Sequence, residues 1–449
     1  MDTALDFNST ENLHLLKKDR ALLEKTRIPI VTVAASFRDE LARFHGVSDY
    51  FGENGPEVLF SRAHYSMAMA AAMGVWKKEV DPKKAWLVDP TNYVSSKDWN
   101  TIEFTEEVGK AMARHKILKM LKDFIDTKAR NKLPITKAIT TPLLYLFEHV
   151  QTPILSFHYE TGKILAGMGK HVVQVVTDPH VRPQYLDHAE LPSMRFCVFD
   201  DNTKTSFLEL ADVLEKKVDP KRVIVTGPPV DPRIVAARKR KSITAHHHRK
   251  LRLLITTGGL GNNQEEIEAC VRSLSPLVRE QLVGGNESGI QLIVYVGVHD
   301  DFRERMHGVA KQEGIPTGSK DDESSPLRIL YSPHVVQANE YLIKYGFPWA
   351  DGVITKPSGD MAYDAAAAGC FILTLEPWGE WEHNIRDIFE QHSISRRALP
   401  GELEKQLESL LERHGDKSWI DHAIGNALKL PAQFTEGTQN ILALLPKTA

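Results

Sequence analysis

Four groups of residues have the types and spacing to do chemistry. The first lies in residues 253–270, LLITTGGLGNNQEEIEAC. An apolar run ends at Thr256-Thr257. Gly258, Gly259 and Gly261 follow, then Asn262, and a helical pattern starts near 263. Glycines let backbone N–H groups approach a ligand closely. The helix start adds unpaired donors and a positive dipole end, which suits a diphosphate. The alternative is a plain tight βα turn. The segment matches neither the GxGxxG dinucleotide fingerprint nor the Walker lysine pattern.

The second group lies in residues 350–384, ADGVITKPSGDMAYDAAAAGCFILTLEPWGEWEHN. An apolar run delivers Thr355-Lys356-Pro357-Ser358-Gly359 at its end, and a small-residue helix follows, closed by Gly369. Lys356 offers an ammonium, and Ser358 and Gly359 offer amides, to phosphate oxygens. Asp364 lies four residues after Asp360, so both can line one helix face. A carboxylate at 364 can take two hydrogen bonds from ribose hydroxyls, whereas Asp360 reads as a helix cap.

Candidate proton acceptors form the third group. Asp178 and His180 follow the apolar run 172–176, and His158 follows the run 154–157. A carboxylate or imidazole within hydrogen-bond reach can deprotonate an attacking hydroxyl. Each also has a bland reading as a turn residue. His64, in RAHYSMA, reads more simply as a helix residue.

The fourth group is His246-His247-His248, flanked by Arg238, Lys239, Arg240, Lys241, Arg249 and Lys250. Consecutive histidines on a regular element do not all point at one ion. No acidic or cysteine partner adjoins them, so no metal site is expected. The stretch reads as a solvated connector. Its functional reading is a patch for an anionic membrane surface, worth about 1 kcal/mol per cation.

The elements that must position these groups are legible as alternating short apolar runs and amphipathic stretches. Strands are expected at 28–33, 85–88, 154–157, 172–176, 195–199 and 223–225. A second series is expected at 251–255, 291–296, 328–331, 352–354 and 371–375. Continuous apolar character implies strands buried on both faces. Helices are expected at 106–128, 206–217, 264–280 and 302–313, with a helical tail over 399–445. This alternation predicts an α/β protein: two doubly wound Rossmann-like domains facing a cleft. The expected divisions are an extension 1–27, a first Rossmann-like domain 28–226, a linker 227–250, a second Rossmann-like domain 251–395 and a tail 396–449.

Composition sets the outer bounds. The chain has 449 residues, 42% hydrophobic and 26% charged, an ordinary globular balance. Net charge is 56 − 59 = −3, which does not point to nucleic acid. Cys197, Cys270 and Cys370 are scattered without a CxxC pair, so a reducing cytosol is expected. The run 67–76, MAMAAAMGVW, is too short to span a bilayer, which takes about 20 apolar residues. Peripheral membrane contact stays open. Asp321-Asp322 sits in a polar loop and reads as solvated rather than as a DxD metal site.

The second group resembles the nucleotide-sugar site of GT-B glycosyltransferases, most of all the MurG and monogalactosyldiacylglycerol synthase group of family 28. That group's pattern is roughly K-x-G-G-x-T-x-x-E-A, then G-Q-E-x-x-N. Here stand Lys356, Ser358, Gly359, Asp364 and Ala365, then Gly379, Glu380, Trp381, Glu382 and Asn384. The first glycine is Ser358, the ribose acid is Asp364, and Glu380-Trp381 replaces Gln-Glu. Residues 223–234, VIVTGPPVDPRI, are similar to the family's interdomain "GxPV" junction, and 172–180 to its V-x-x-V-T-D strand. Gly258-Gly259 corresponds to the phosphate loop, and the segment around His334 and Val335 to the loop framing the base. The family's GGGH-like acceptor loop is replaced by Ala34-Ala35-Ser36-Phe37-Arg38.

The resemblance implies transfer of a hexosyl group from a UDP-sugar to an acceptor hydroxyl with inversion; with no DxD motif beside a strand, no obligatory metal or other cofactor is expected. Gly258, Gly259, Gly261, Asn262, His334, Val335, Lys356, Ser358, Gly359, Asp364, Glu382 and Asn384 would bind the donor. Glu382 would stand in at the hexose. Asp178, His180 or His158 would supply the base. The expected partners are the donor and a lipid or small-molecule acceptor. Two alternatives remain: a UDP-GlcNAc 2-epimerase-like enzyme, or a non-catalytic nucleotide-sugar-binding protein of the same fold.

Overall fold

The computed structural model describes residues 10–46, 59–94, 134–284 and 289–445. The helix expected at 106–128 lies outside the described residues. The chain divides into two compact units. Unit 1 comprises Met1–Pro229 with Gly437–Ala449, and unit 2 comprises Val230–Glu436.

Unit 1 carries a six-stranded parallel sheet: β1 (Ile28–Val31), β2 (Ala85–Val88), β3 (Ile154–Ser156), β4 (Val172–Val175), β5 (Met194–Val198) and β6 (Val223–Val225). Their order is β2-β1-β3-β4-β5-β6. All residues of β1 to β4 are buried, the two polar ones, Ser156 and Gln174, included, as strands covered on both faces require. The order reverses between β1 and β3, where Val31 O accepts from Phe157 N at 2.9 Å. The run 67–76 lies in the helix Arg62–Trp76, with Met67, Ala68, Ala70, Ala71, Ala72 and Trp76 buried. It is therefore a core helix. The C-terminal residues return to this unit: Asn440 Nδ2 donates to Thr226 O at 2.9 Å.

Unit 2 carries seven parallel strands: β7 (Leu251–Thr256), β8 (Ile290–Gly297), β9 (Thr317–Gly318), β10 (Leu327–Tyr331), β11 (Gly352–Thr355), β12 (Phe371–Thr374) and β13 (Ser395–Arg397). Their order is β13-β12-β11-β7-β8-β10-β9. The chain builds outward from β7 through β8 and β10, then crosses to β11 and builds the other way. The topological switch point thus lies between β7 and β11, in register with Gly352 beside Leu253 and Ile354 beside Ile255. Glycine at 352 is required by packing. A Cβ there would fall 2.1 Å from Cζ of the buried Phe371 ring.

The core of unit 2 joins Leu253, Ile255, Leu292, Val294, Phe371 and Leu373 from the sheet. Leu403, Leu407, Leu410, Ile420 and Ile424 pack into the same core. Each such fully buried side chain contributes about 1.5–3 kcal/mol. The helices Leu403–Leu411 and Trp419–Ala427 therefore each turn one apolar face into the unit's interior. The edge strands β9 and β13 are the two strands without an apolar run. Among the described residues no helix is long and apolar enough to cross a membrane.

Candidate functional site

In open parallel α/β sheets, ligands bind at the carboxyl ends of the strands, where the strand order reverses. In unit 2 that place is set by β7 and β11. Thr256 Oγ1 donates to Thr355 Oγ1 at 2.7 Å and ties the two strand ends together. Beyond them the chain delivers Gly258 from one strand and Lys356 from the other. The two touch: a Cβ on Gly258 would lie 2.6 Å from Lys356 Cε and 3.5 Å from its Nζ. Only glycine lets the lysine stem lie over this turn.

The turn after β7 is held by its own bonds. Gly261 N donates to Gly258 O at 2.9 Å, and Thr257 Oγ1 donates to Asn262 O at 2.9 Å. Gly261 has φ +69° and Asn263 has φ +62°, so the chain reverses before the helix Gln264–Gly284 begins. Asn262 is buried. His299, after β8, has Nε2 3.1 Å from Gly259 O. His334 and Val335 sit after β10 on the same edge. His334 N donates to Ser332 Oγ at 3.1 Å, and Val335 is buried.

Lys356 is 13% exposed at its side chain and its Nζ lies 2.6 Å from Glu382 Oε1. Glu382 is 1% exposed, and its other oxygen accepts from Trp378 N at 2.6 Å. Lys356 Nζ also lies 5.9 Å from the Trp378 ring centroid. The ammonium is thus fixed by a buried carboxylate and an indole face. Asn384 is exposed, two positions after Glu382 on the helix Glu380–Gln391. Positions two apart on a helix do not face each other, so Glu382 joins the lysine and Asn384 points elsewhere.

The loop after β11 differs from expectation in two ways. Ser358 N donates to Lys356 O at 2.8 Å, so its amide closes the turn and Gly359 is left to supply an amide to an anion. Asp360 does not cap the helix Met361–Ala367 with its side chain. Ser358 Oγ does this work instead: it accepts from Met361 N at 3.3 Å and donates to Asp360 Oδ1 at 2.6 Å. A serine where the resembling family has glycine therefore acquires two bonds. Asp364 is buried, at 5% exposure, within a helix buried along its whole length.

In unit 1 the switch point lies between β1 and β3, and the candidate bases gather at that carboxyl edge. His64 Nε2 lies 3.0 Å from Thr177 Oγ1, and its ring meets the His158 ring edge-on at 5.1 Å. Thr177 Oγ1 lies 3.2 Å from Tyr185 Oη. Burial pushes the Tyr185 hydroxyl up to about 12, and the Asp178 charge adds to this. Asp178 and His180 are half-buried. His158 Nδ1 accepts from Glu160 N at 3.2 Å and so caps the helix Tyr159–Gly167. That bond makes Nε2 the protonated nitrogen of the neutral ring. Burial, then the neighbouring His64 and Arg182, holds His158 well below the ordinary histidine range. To act as a base His158 must give up its cap. His64, which the sequence favoured only as a helix residue, is brought into this cluster by the fold.

The loop after β1 is locked from below. Asp89 Oδ2 accepts from Ala34 N at 2.7 Å and Ala35 N at 2.9 Å; Oδ1 accepts from Thr91 N at 3.0 Å and Thr91 Oγ1 at 2.7 Å. Phe37 N donates to Asn92 Oδ1 at 2.8 Å. These amides are engaged within the protein. The loop has therefore exchanged an open glycine-rich cradle for a carboxylate-braced turn.

No protein-family model and no curated protein matches the sequence. Solved structures match the fold. S. aureus MnaA with UDP shares 11% identity, over 94% of this chain and 95% of that one, with TM-score 0.50. MurG from Acinetobacter baumannii shares 10% identity over 94% and 99%, with TM-score 0.47. The glycosyltransferase SnogD from Streptomyces nogalater shares 12% over 94% and 100%, with TM-score 0.41. With its two parallel sheets of six and seven strands, the chain has the two-domain α/β fold of the GT-B type.

Proposed function

We propose that the chain is a glycosyltransferase that moves a hexosyl group from a UDP-sugar to an acceptor hydroxyl, with inversion and without an obligatory metal. The observation that carries this reading is the contact of Gly258 with Lys356 at the switch point of the second sheet. A diphosphate there would meet the amides of Gly258, Gly259 and Gly359 and the Lys356 ammonium, with the Gly261 amide closing the turn on Gly258 O. Preorganised donors aimed at a leaving diphosphate supply a large electrostatic part of catalysis. His334 and Val335 would frame the base, Asp364 the ribose and Glu382 the hexose, with Asn262 held in the glycine turn and Ser358 bracing its own loop; the position of Asn384 gives it no part in this. That MnaA binds UDP on the same fold supports uridine as the base.

The acceptor, a lipid or another small molecule, would lose its proton to Asp178 or His180, with His64 and His158 as the neighbouring alternatives. Three free, buried cysteines support a cytosolic location, to which the basic stretch would add peripheral membrane contact. The membrane patch would rest on Lys239, Arg240 and Lys250. The other three cations face inward: Arg238 donates to Ala366 O, Lys241 to Phe347 O, and Arg249 to both Asp351 oxygens.

The test is incubation with UDP-hexoses, with and without an acceptor hydroxyl, following UDP and the sugar product. The expected result is UDP release that depends on the acceptor. Conversion of UDP-GlcNAc alone into its 2-epimer would favour an epimerase. UDP binding without any turnover would favour a nucleotide-sugar-binding protein. Thermal shifts with UDP, GDP, TDP and ADP identify the base, because stabilisation follows RT ln(1 + [L]/Kd). A selective rise with UDP is expected, and equal rises with all four contradict the reading.

A further inference from the structure

The histidine triplet has a partner that the sequence places far away. His246 and His247 lie on a single 3-10 turn, Ala245–His247, which precedes β7 at the amino edge of the second sheet. Asp421, in the helix Trp419–Ala427, reaches both: its Oδ1 is 3.5 Å from His246 Nε2 and 3.0 Å from His247 Nε2. The three donor atoms lie within 4.8 Å of one another. The tight turn answers the objection from regular elements, since it needs to aim only two of the three rings.

The geometry points to a binding site for a borderline divalent cation, zinc being the type case, held by His246 Nε2, His247 Nε2 and Asp421 Oδ1. Four observations carry it. First, neighbouring ligands of a tetrahedral zinc with bonds of about 2.0–2.2 Å stand about 3.4 Å apart. The two observed separations bracket that value. Second, His246 is 8% exposed, and neither ring nitrogen has a hydrogen bond among the described residues. Third, Asp421 Oδ1 is buried and has no hydrogen bond either, although both rings stand close to it. A buried histidine and a buried carboxylate oxygen both left unbonded are costly, and an ion would satisfy them together. Fourth, the carboxylate is braced as ligands are. Its Oδ2 accepts from Ser418 N at 2.8 Å and Ser418 Oγ at 3.0 Å, which frees Oδ1 for the histidines.

His247 is the exposed member of the set, so the fourth position opens to water. Arg413 Nη2 lies 3.4 Å from His247 Nδ1. Ligation through Nε2 puts the proton on Nδ1, and the exposed guanidinium swings away. The ion would clamp the segment entering β7 to the C-terminal helices of unit 2. This site lies at the opposite edge of the sheet from Lys356, so it carries no step of the proposed reaction.

The experiment uses the full untagged chain, stripped with chelator and titrated with zinc, and with cobalt as a spectroscopic probe. Expected are one zinc per chain and a rise in Tm of about 5 °C at hundredfold excess over Kd. Bound cobalt should show the visible bands of a four-coordinate nitrogen and oxygen site. His247→Gln, chosen because its side chain is partly exposed, should abolish all three. Asp421→Asn should do the same while keeping an oxygen for Ser418. A wild-type chain that binds no stoichiometric zinc overturns the proposal, as does a His247→Gln chain that responds like the wild type.

Discussion

Lys356→Ala is expected to weaken UDP binding at least about a hundredfold and to destabilise unit 2 at the same time. The first effect follows from removing a charged hydrogen-bond donor from a largely buried site, which costs about 2–5 kcal/mol. The second follows from Glu382, which is 1% exposed and would lose the cation 2.6 Å away. Stranding one member of a buried ion pair costs about 3–5 kcal/mol. The two effects separate in the double variant Lys356→Met with Glu382→Gln. The glutamine carbonyl can still accept from Trp378 N, and no buried charge is left unpaired. Thermal unfolding of the double variant should return close to wild type, while calorimetric titration should still find UDP binding lost. Recovery of UDP affinity together with stability would show that the lysine serves only the fold.

Asp89→Ala is expected to cost about 4 kcal/mol of stability, at the upper end for a single substitution. Its carboxylate is fully buried and accepts four hydrogen bonds from Ala34, Ala35 and Thr91. Each buried donor left unsatisfied costs about 1–3 kcal/mol. Asp89→Asn keeps one oxygen and should cost about half as much. Burial also pushes the Asp89 carboxyl up to about 6, against the pull of these bonds. A folded-state value above the unfolded one means that the folded chain binds the extra proton. The wild type should therefore gain stability relative to Asp89→Asn as pH falls from about 7 toward 4, through the folded value. Urea unfolding of both proteins across that range gives the sign. A wild-type advantage that grows with rising pH would contradict it.

Much of the scaffold is legible from the residues alone. Ala85–Val88 and Val223–Val225 are strands over the range expected, and the other nine apolar runs differ only at their ends. Such runs announce themselves because a strand buried on both faces has no polar side to show. The strands that escape notice are Thr317–Gly318 and Ser395–Arg397, edge strands whose residues need no second apolar face. The glycine turn and Lys356 are equally legible, since close approach demands particular residue types. What is not legible is pairing across the chain. Asp89 is not singled out by local spacing; its role appears only when Ala34 and Ala35 are seen to donate to it. Asp421 carries no signal of its own in the sequence; only the fold sets it beside His246 and His247. Ser358 takes over the capping expected of Asp360 because its backbone has already turned to Lys356 O. In each case a side chain's role is set by a neighbour that local spacing does not name.

The most direct test of the central claim is a crystal structure of the chain grown with UDP. The account predicts the diphosphate at the carboxyl edge of β7 and β11, within hydrogen-bond distance of Lys356 Nζ and of amides in the Gly258–Gly261 turn. UDP bound elsewhere, with Lys356 still turned wholly to Glu382 and no phosphate at the glycine turn, would contradict it.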